Sequence, residues 1–415
     1  MQSQWQTKRI AGYKDGGVHD LAPPAPAESL NATSVHHNRQ HRRQTKPALP
    51  LEGHSTGPRE PGRIPALIPV LHQDGTPLTP CKPAKARKLL RGGVAEKHWN
   101  KLGHFYIQMR VETGKETPEM WLADDPGSQF DGIAVASHQR VQTTAMLELP
   151  TGIAKKMTNR RQLRRARRYR KCRRRPKRFD NRHRPEGWTA PSQKAKVDFR
   201  LKVIGELYKL YPIAGAVVED VRFNHYRNRW GKHFSTVEIG KAYFYAELKK
   251  LGQLKLYAGW ETQEERERQG LKKSKSKRKR TPESHVVDAV AMLSRWLGTA
   301  DLRVPQFWVF KRPNVRRRSL HLQNPAKGGV RRGHGGTAAL GIAKHTVCLW
   351  KGQLYRTGGS TGGRLSLHDM TLEAKRVVRH AKVEELTLLF KQSILGMEVK
   401  YKPDGLQPIP PSPSP

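Results

Sequence analysis

Three acidic side chains stand where hydrophobic segments end or are interrupted. Asp125 follows the apolar Trp121-Leu122-Ala123, and Glu219 ends the run Ile213-Ala214-Gly215-Ala216-Val217-Val218. Asp288 lies inside His285-Val286-Val287-Asp288-Ala289-Val290-Ala291-Met292-Leu293. A buried carboxylate without a partner is costly or takes up a proton, so each of the three needs a cation. A salt bridge would satisfy any one of them. Three together, with an arginine-rich stretch between the first two, point to a shared site for hard cations. Magnesium suits carboxylate oxygens and keeps several waters. Two such ions, about 3.5–4 Å apart, activate a water and stabilise the leaving oxygen of a phosphodiester. Two Mg2+ ions are therefore expected, with Mn2+ as a substitute. His285, three residues before Asp288 and on the same face of a helix, is the candidate for positioning or deprotonating that water. A cap or a solvated group is the plainer reading of a lone histidine there.

The stretch between the acids supplies the opposite charge. Arg160, Arg161, Arg164, Arg165, Arg167, Arg168, Arg170, Lys171, Arg173, Arg174 and Arg175 follow one another with no acidic residue among them. Good helix formers, a cap at Thr158 or Asn159 and no proline before Pro176 predict a helix once something neutralises it. Leu163, Ala166 and Tyr169 give a narrow apolar stripe, and guanidinium covers the remaining faces. The planar fork of guanidinium suits phosphate, which predicts nucleic acid on more than one side. A solvated basic tail is the alternative, but the run lies in mid-chain between segments that read as folded.

Composition agrees: 79 Lys+Arg against 35 Asp+Glu give a net charge of +44 over 415 residues, which makes nucleic acid the default partner. Hydrophobic residues at 36% can supply cores for two or three domains, while a mean hydropathy of -0.77 implies hydrophilic connectors. No apolar run approaches the length of a membrane span, and the N-terminus lacks a signal peptide's apolar region. An intracellular protein with no membrane partner is expected. Cys81, Cys172 and Cys348 form no C-x-x-C pair, so neither a disulfide framework nor a zinc site is read from them.

The elements that must hold the acids can be read in order. Residues 1–62, rich in Pro, Gly, Ser, His and Arg, predict disorder. A strand at 64–71, a turn at Asp74-Gly75, a helix opened by Pro83 and ended by Gly92-Gly93, and a strand at 105–111 predict a small basic β-α-β module. Residues 121–123 and 132–136 predict a hairpin with Asp125 at its mouth. A helix at 194–210, a strand buried on both faces at 213–218, a helix at 237–251, a strand at 255–257 and a basic loop at 271–280 follow. Thr281 and Pro282 then open the helix that carries Asp288. Beyond 303, Arg316, Arg317, Arg318, Arg331 and Arg332 surround glycine pairs, and hairpins at 346–350 and 353–356 join at Lys351-Gly352. A β-rich nucleic-acid-binding domain is expected there, followed by a disordered tail.

These residues also resemble a known family. Asp125-Pro126-Gly127-Ser128 resembles the first RuvC motif, Glu219-Asp220-Val221-Arg222-Phe223 the second and His285-Val286-Val287-Asp288-Ala289 the third. The arginine run resembles the bridge helix, and Pro77-Leu78-Thr79-Pro80-Cys81 the N-terminal PLMP domain. Together, over roughly residues 65–400, the motifs resemble the transposon-encoded IscB and IsrB proteins, compact relatives of RNA-guided CRISPR effector nucleases. The interval from Glu219 to His285 holds a helix, a strand and a basic loop, without an HNH constellation, so the resemblance is to IsrB.

The resemblance implies an α/β protein: an RNase H-like RuvC core with an Arg-rich bridge helix, a small PLMP domain and a β-rich C-terminal domain. Its segments would be 1–62, a disordered extension; 63–114, PLMP-like; 115–150, the first RuvC segment; and 151–192, bridge helix and linker. The second and third RuvC segments would occupy 193–300, the C-terminal domain 301–404 and the tail 405–415. It further implies a monomeric ribonucleoprotein in the prokaryotic cytoplasm. An ωRNA would guide it to double-stranded DNA bearing a short flanking motif, and one Mg2+-dependent centre would nick the non-target strand. Asp125, Glu219 and Asp288 would be the ligands, with His285 assisting. Asp124 replaces the apolar residue usual before the first aspartate, and Thr79 replaces a methionine. Other classes fit less well: a binder without catalysis, an unguided junction nuclease, or a ribosomal-type RNA-binding protein.

Overall fold

The computed structural model describes residues 64–170, 185–222, 235–313, 319–321 and 333–400. The extension at 1–62, the tail at 405–415 and the cations Lys171, Arg173, Arg174, Arg175, Arg316, Arg317, Arg318, Arg331 and Arg332 lie outside the described residues.

The first module has four strands, β1 (Ile68–Leu71), β2 (Pro77–Cys81), β3 (Ala95–Trp99) and β4 (Phe105–Met109), in the order β2-β1-β4-β3. Helix α1 (Pro83–Arg91) covers the sheet, with Ala86, Leu89 and Leu90 against Val70, Leu78 and Ile107. The β-α-β expectation was two strands short. β2 and β3 are the two edges, where prolines and charged residues are tolerated because one side of the ladder is unpaired. Those residues mask the strand pattern in Pro77-Leu78-Thr79-Pro80-Cys81 and Ala95-Glu96-Lys97-His98-Trp99.

A meander follows: β5 (Met120–Asp125), β6 (Phe130–Ser137) and β7 (Val141–Glu148), each antiparallel to the last. Then come α2 (Ile153–Arg170), α3 (Pro191–Tyr208), β8 (Ile213–Glu219), a 3-10 turn at Glu238–Gly240 leading into α4 (Lys241–Lys249), and β9 (Gln253–Tyr257). Helices α5 (Gly259–Arg268), α6 (Pro282–His285) and α7 (Val287–Leu297) precede β10 (Phe307–Lys311). Two short ribbons pair β11 (Ser319–His321) with β12 (Gly333–Gly335) and β13 (Ala338–Ala339) with β14 (Ile342–Ala343). β15 (Thr346–Trp350), β16 (Gln353–Thr361), β17 (Arg364–His368), β18 (Arg376–Ala381) and β19 (Thr387–Lys391) form an antiparallel sheet, and β20 (Leu395–Glu398) is last. Lys351 and Gly352 turn the β15–β16 hairpin with φ of 48° and 77°, the left-handed conformations a two-residue hairpin turn requires.

The central sheet runs β20-β10-β7-β6-β5-β8-β9. β8 lies parallel beside β5, and β9 parallel beside β8, so the meander is extended on the side of its first strand. Side chains alternate across each strand. Trp121, Ala123, Ala134, Ala136 and Val217 face α7 on one side. Met120, Leu122, Ile133, Val135, Ala216 and Val218 face α3 and α4 on the other. Burial on both faces explains why β8 reads as an unbroken apolar run.

Several boundaries differ from the sequence reading. Asp124 and Asp125 belong to β5 rather than to the turn after it. The arginine helix begins at Ile153, so Thr158 and Asn159 are interior positions and not caps. α5 was not anticipated, because its charged, glutamate-rich sequence shows little apolar period. The helix carrying Asp288 is interrupted at Val286. β10 and β20 complete the central sheet, so a division at residue 300 does not follow the sheet; Phe307, Val309 and Phe310 are core residues of it.

Candidate metal centre and nucleic-acid surface

The parallel pairing of β5 with β8 aligns Asp124 with Val218. The next residue on each strand, Asp125 and Glu219, therefore leaves the same edge of the sheet side by side. Asp288 is in the first turn of α7, which packs on β5, β6 and β8. One oxygen from each of the three carboxylates lies within 4.8 Å of the other two. The acids that the sequence singled out at three distant points thus form one cluster. Its donors are all carboxylate oxygens, the ligand type of hard divalent cations, so the residues present fit magnesium or manganese.

Charge repulsion inside the cluster is visible in its protonation. Burial, and then the charges of Asp288 and Glu219, push the Asp125 carboxyl up to about 7, with Lys273 and Lys277 pulling the other way. Burial and Asp288 raise Glu219 as well, opposed by Lys273, the Thr262 hydroxyl and Arg266. Asp288 accepts hydrogen bonds from Arg266 Nη1 on Oδ1 at 2.8 Å and from Lys273 Nζ on Oδ2. Burial alone would lower Lys273, but Asp288 and Asp125 outweigh it and hold the ammonium above its ordinary range.

Glycine allows two close approaches. Gly132 pairs with Asp125 across the hairpin, and a Cβ there would lie 1.7 Å from the His285 carbonyl oxygen. A Cβ on Gly259, at the start of α5, would come within 3.3 Å of Glu219 Oε1. The helix start, the hairpin and the α6–α7 junction therefore close on the cluster.

His285 is placed differently from the expectation. The break at Val286 (φ -111°, ψ -2°) interrupts the helical face it was to share with Asp288, and the carboxylate cluster does not include it. Its Nε2–H donates to the Lys279 carbonyl at 2.9 Å, and its ring packs edge-on against Phe130. Burial lowers its pKa, which favours the neutral ring.

Asp124 points to the other face of β5, toward α3, and is fully buried. Arg200 approaches it at 3.4 Å while binding Asp131 with two hydrogen bonds of 2.7 Å. Asp131 also accepts the Gly127 N–H at 2.8 Å, which anchors the loop just after Asp125. Burial drives the Asp124 carboxyl well above the usual range, despite Arg200. The second acid is therefore separate from the cluster.

Sequence reasoning missed Arg200, Asp131, Arg266 and Lys273. Arg200 had a signal, because it interrupts the apolar positions Val197, Val203, Ile204 and Leu207 of α3. Lys273 had none that set it apart within a stretch dense in cations.

Along α2, Arg160, Arg161 and Arg165 are exposed, and Leu163, the one residue of the apolar stripe whose side chain is described, is 60% exposed. The backbone of Arg164, Arg167, Arg168 and Arg170 continues the helix; their side chains lie outside the described residues. Among the described residues no helix is long and apolar enough to cross a membrane.

Fold and site together define an α/β protein with a carboxylate cluster able to hold a metal ion and, elsewhere along the chain, a strongly basic helix. A family model described as RRXRR protein matches residues 68–238, from the first sheet through the arginine helix to β8 and the turn after it. Among solved structures the chain is similar to T. thermophilus RuvC in complex with Holliday junction substrate. That likeness has 14% identity and a TM-score of 0.26, covers 44% of this chain and 97% of that one, and is too loose to carry an argument. No curated protein matches the chain.

Proposed function

We propose that the chain is a RuvC-type nuclease and, more narrowly, an ωRNA-guided nickase of the IsrB kind that cuts the displaced strand of double-stranded DNA. The convergence of Asp125, Glu219 and Asp288 carries this reading. Supporting it, the order β7-β6-β5-β8-β9, a meander with two parallel strands added beside its first strand, is that of an RNase H-like core. Asp125, Glu219 and Asp288 would hold magnesium, which when bound would supply an activated water and stabilise the leaving oxygen of a phosphodiester. The chain's own part is to hold the ligands at the sheet edge, place phosphates with the cations of α2 and the 271–280 loop, and separate the strands. With sequence read by the guide, the protein needs to grip backbone rather than bases. One centre cuts one strand. His285 serves as a positioning residue through the loop it fastens, since its Nε2 is taken by Lys279.

The test is nicking of supercoiled plasmid by the chain co-purified with its RNA. Mg2+-dependent nicking should fall to background in Asp125→Ala, a loss well beyond the roughly hundredfold that follows from disturbing a ligand's support alone. RNA binding should persist. Retained cleavage in that variant refutes the assignment. Cleavage of branched DNA that survives ribonuclease treatment would favour an unguided junction nuclease, and absence of nicking with both Mg2+ and Mn2+ would leave a binder.

A further inference from the structure

Lys273 belongs to the cation-rich stretch between α5 and α6. Two contacts fasten this stretch against α6: the Ser274 N–H donates to the Glu283 carbonyl at 2.8 Å, and His285 donates to the Lys279 carbonyl at 2.9 Å. Lys275 and Lys277 are exposed, although the charge of Lys277 still reaches Asp125, whereas Lys273 turns inward with 28% of its side chain exposed and meets Asp288 Oδ2. Arg266, from α5, meets Oδ1 of the same carboxylate. Both oxygens of Asp288 are thus engaged by cations, and one of these oxygens is what a metal ion needs.

A divalent ion entering the cluster would face two like charges in a half-buried site, where screening is weak. Lys273 can yield because its ammonium sits on a flexible four-carbon stem. The anion next to arrive at a loaded centre is a phosphodiester.

We propose that Lys273 and Arg266 are resident counter-ions of the carboxylate cluster, displaced from Asp288 by a divalent cation and then engaged by phosphate oxygens of the incoming strand. This rests on the reading of Asp125, Glu219 and Asp288 as a metal centre. The lysine and arginine stay protonated throughout, so the exchange is of ion-pair partners only. Metal loading and strand binding then reinforce one another, because the cations leave one anion for the next.

The experiment measures Mn2+ binding to the full-length chain, freed of nucleic acid, by electron paramagnetic resonance of the unbound ion. Lys273→Met is expected to bind Mn2+ at about fivefold lower free concentration than the native chain, the upper scale of one partly exposed ion pair, and Arg266→Met to shift in the same direction. Arg266→Met also keeps the test open should Lys273→Met fail to fold, which circular dichroism would reveal. Lys275→Met removes an exposed charge from the same stretch and should change affinity by less than about twofold. Unchanged affinity in both Lys273→Met and Arg266→Met overturns the proposal, as does an equal gain in Lys275→Met, which would reduce the effect to general repulsion. With Ca2+ present, Lys273→Met should bind single-stranded DNA about fivefold more weakly than the native chain. Equal binding overturns the phosphate step. If the native chain and Asp288→Asn bind Mn2+ alike, the metal centre itself is wrong, an outcome distinct from failure of the counter-ion exchange.

Discussion

Asp124 and Asp125 are adjacent in sequence and opposite in environment, because consecutive residues of a strand face opposite sides of the sheet. Asp125 reaches the carboxylate cluster, where its pKa of about 7 stands well above its ordinary 3.8. Without a divalent ion, the folded chain keeps a proton there that the unfolded chain releases. The resulting stabilisation is complete below pH 3.8 and is lost as pH climbs through about 7. Metal binding has the opposite sign, since the cation takes the deprotonated carboxylate. Mn2+ affinity should rise by up to about tenfold per pH unit below pH 7 and level off above it. A titration flat between acid and alkaline buffer would show that burial and repulsion do not raise Asp125. On the other face, Arg200 is set between buried Asp131 and Asp124 and is ion-paired with both. Arg200→Met would leave those acids uncompensated at a cost of about 3–5 kcal/mol, measurable as a lowered denaturant midpoint.

At the scale of elements, the parallel register of β5 and β8 brings Asp125 beside Glu219, and the packing of α7 adds Asp288. Gly132 permits that packing. Gly132→Ala would force its methyl against the His285 carbonyl, so the α6–α7 junction must shift. We expect a loss of stability of about 1–3 kcal/mol together with weaker metal binding, checked by chemical unfolding and Mn2+ titration. The arginine helix obeys a different rule. Its cations recur at i, i+3 and i, i+4, as in Arg161 with Arg164 and Arg165 or Arg164 with Arg167 and Arg168, and Leu163 is left in solvent, so little besides a polyanion can compensate. A peptide of residues 151–170 should gain helicity by circular dichroism when polyphosphate is added at low salt. A peptide already helical on its own would remove the argument that phosphate is part of this element's stability.

For the whole molecule, the C-terminal sheet is fastened to the central sheet by a buried polar junction. Arg356, 0% exposed, donates from Nε to Gln392 Oε1 and from its two terminal nitrogens to the carbonyls of Asp369, Thr371 and Gly396. Gln392 in turn donates to the Leu102 carbonyl at 2.9 Å, tying in the loop between β3 and β4. Arg356→Met would strand several buried acceptors, at roughly 1–3 kcal/mol for each that finds no water. Limited proteolysis should then open the β15–β19 sheet before the central sheet. Simultaneous loss of both would mean that the two sheets unfold as one unit. At +44 the chain as a whole repels itself, and this junction holds the C-terminal sheet in place through neutral acceptors, with the Asp369 carboxylate acting on Arg356 only through its charge.

Local chemistry made much of this legible in the sequence. Apolar runs ending in acids marked β5 and β8, an apolar run holding one marked α7, glycine and proline marked α1 and the β15–β16 turn, and arginine without intervening acids marked α2. These signals are carried by neighbours along the chain, so tertiary contacts do not alter them. Edge strands β2 and β3, the charged helix α5 and the membership of β10 and β20 in the central sheet were not legible, because each depends on what packs against it. The same holds at the site. The types of Asp125, Glu219 and Asp288 already announced a hard-cation centre, but strand register and the packing of α7 decided that they meet. Which cations pair with Asp288, Lys273 and Arg266 among the described residues, was settled by three-dimensional packing. Charge identity is written in the residue, whereas distance, which sets the strength of every electrostatic interaction, exists only in the fold.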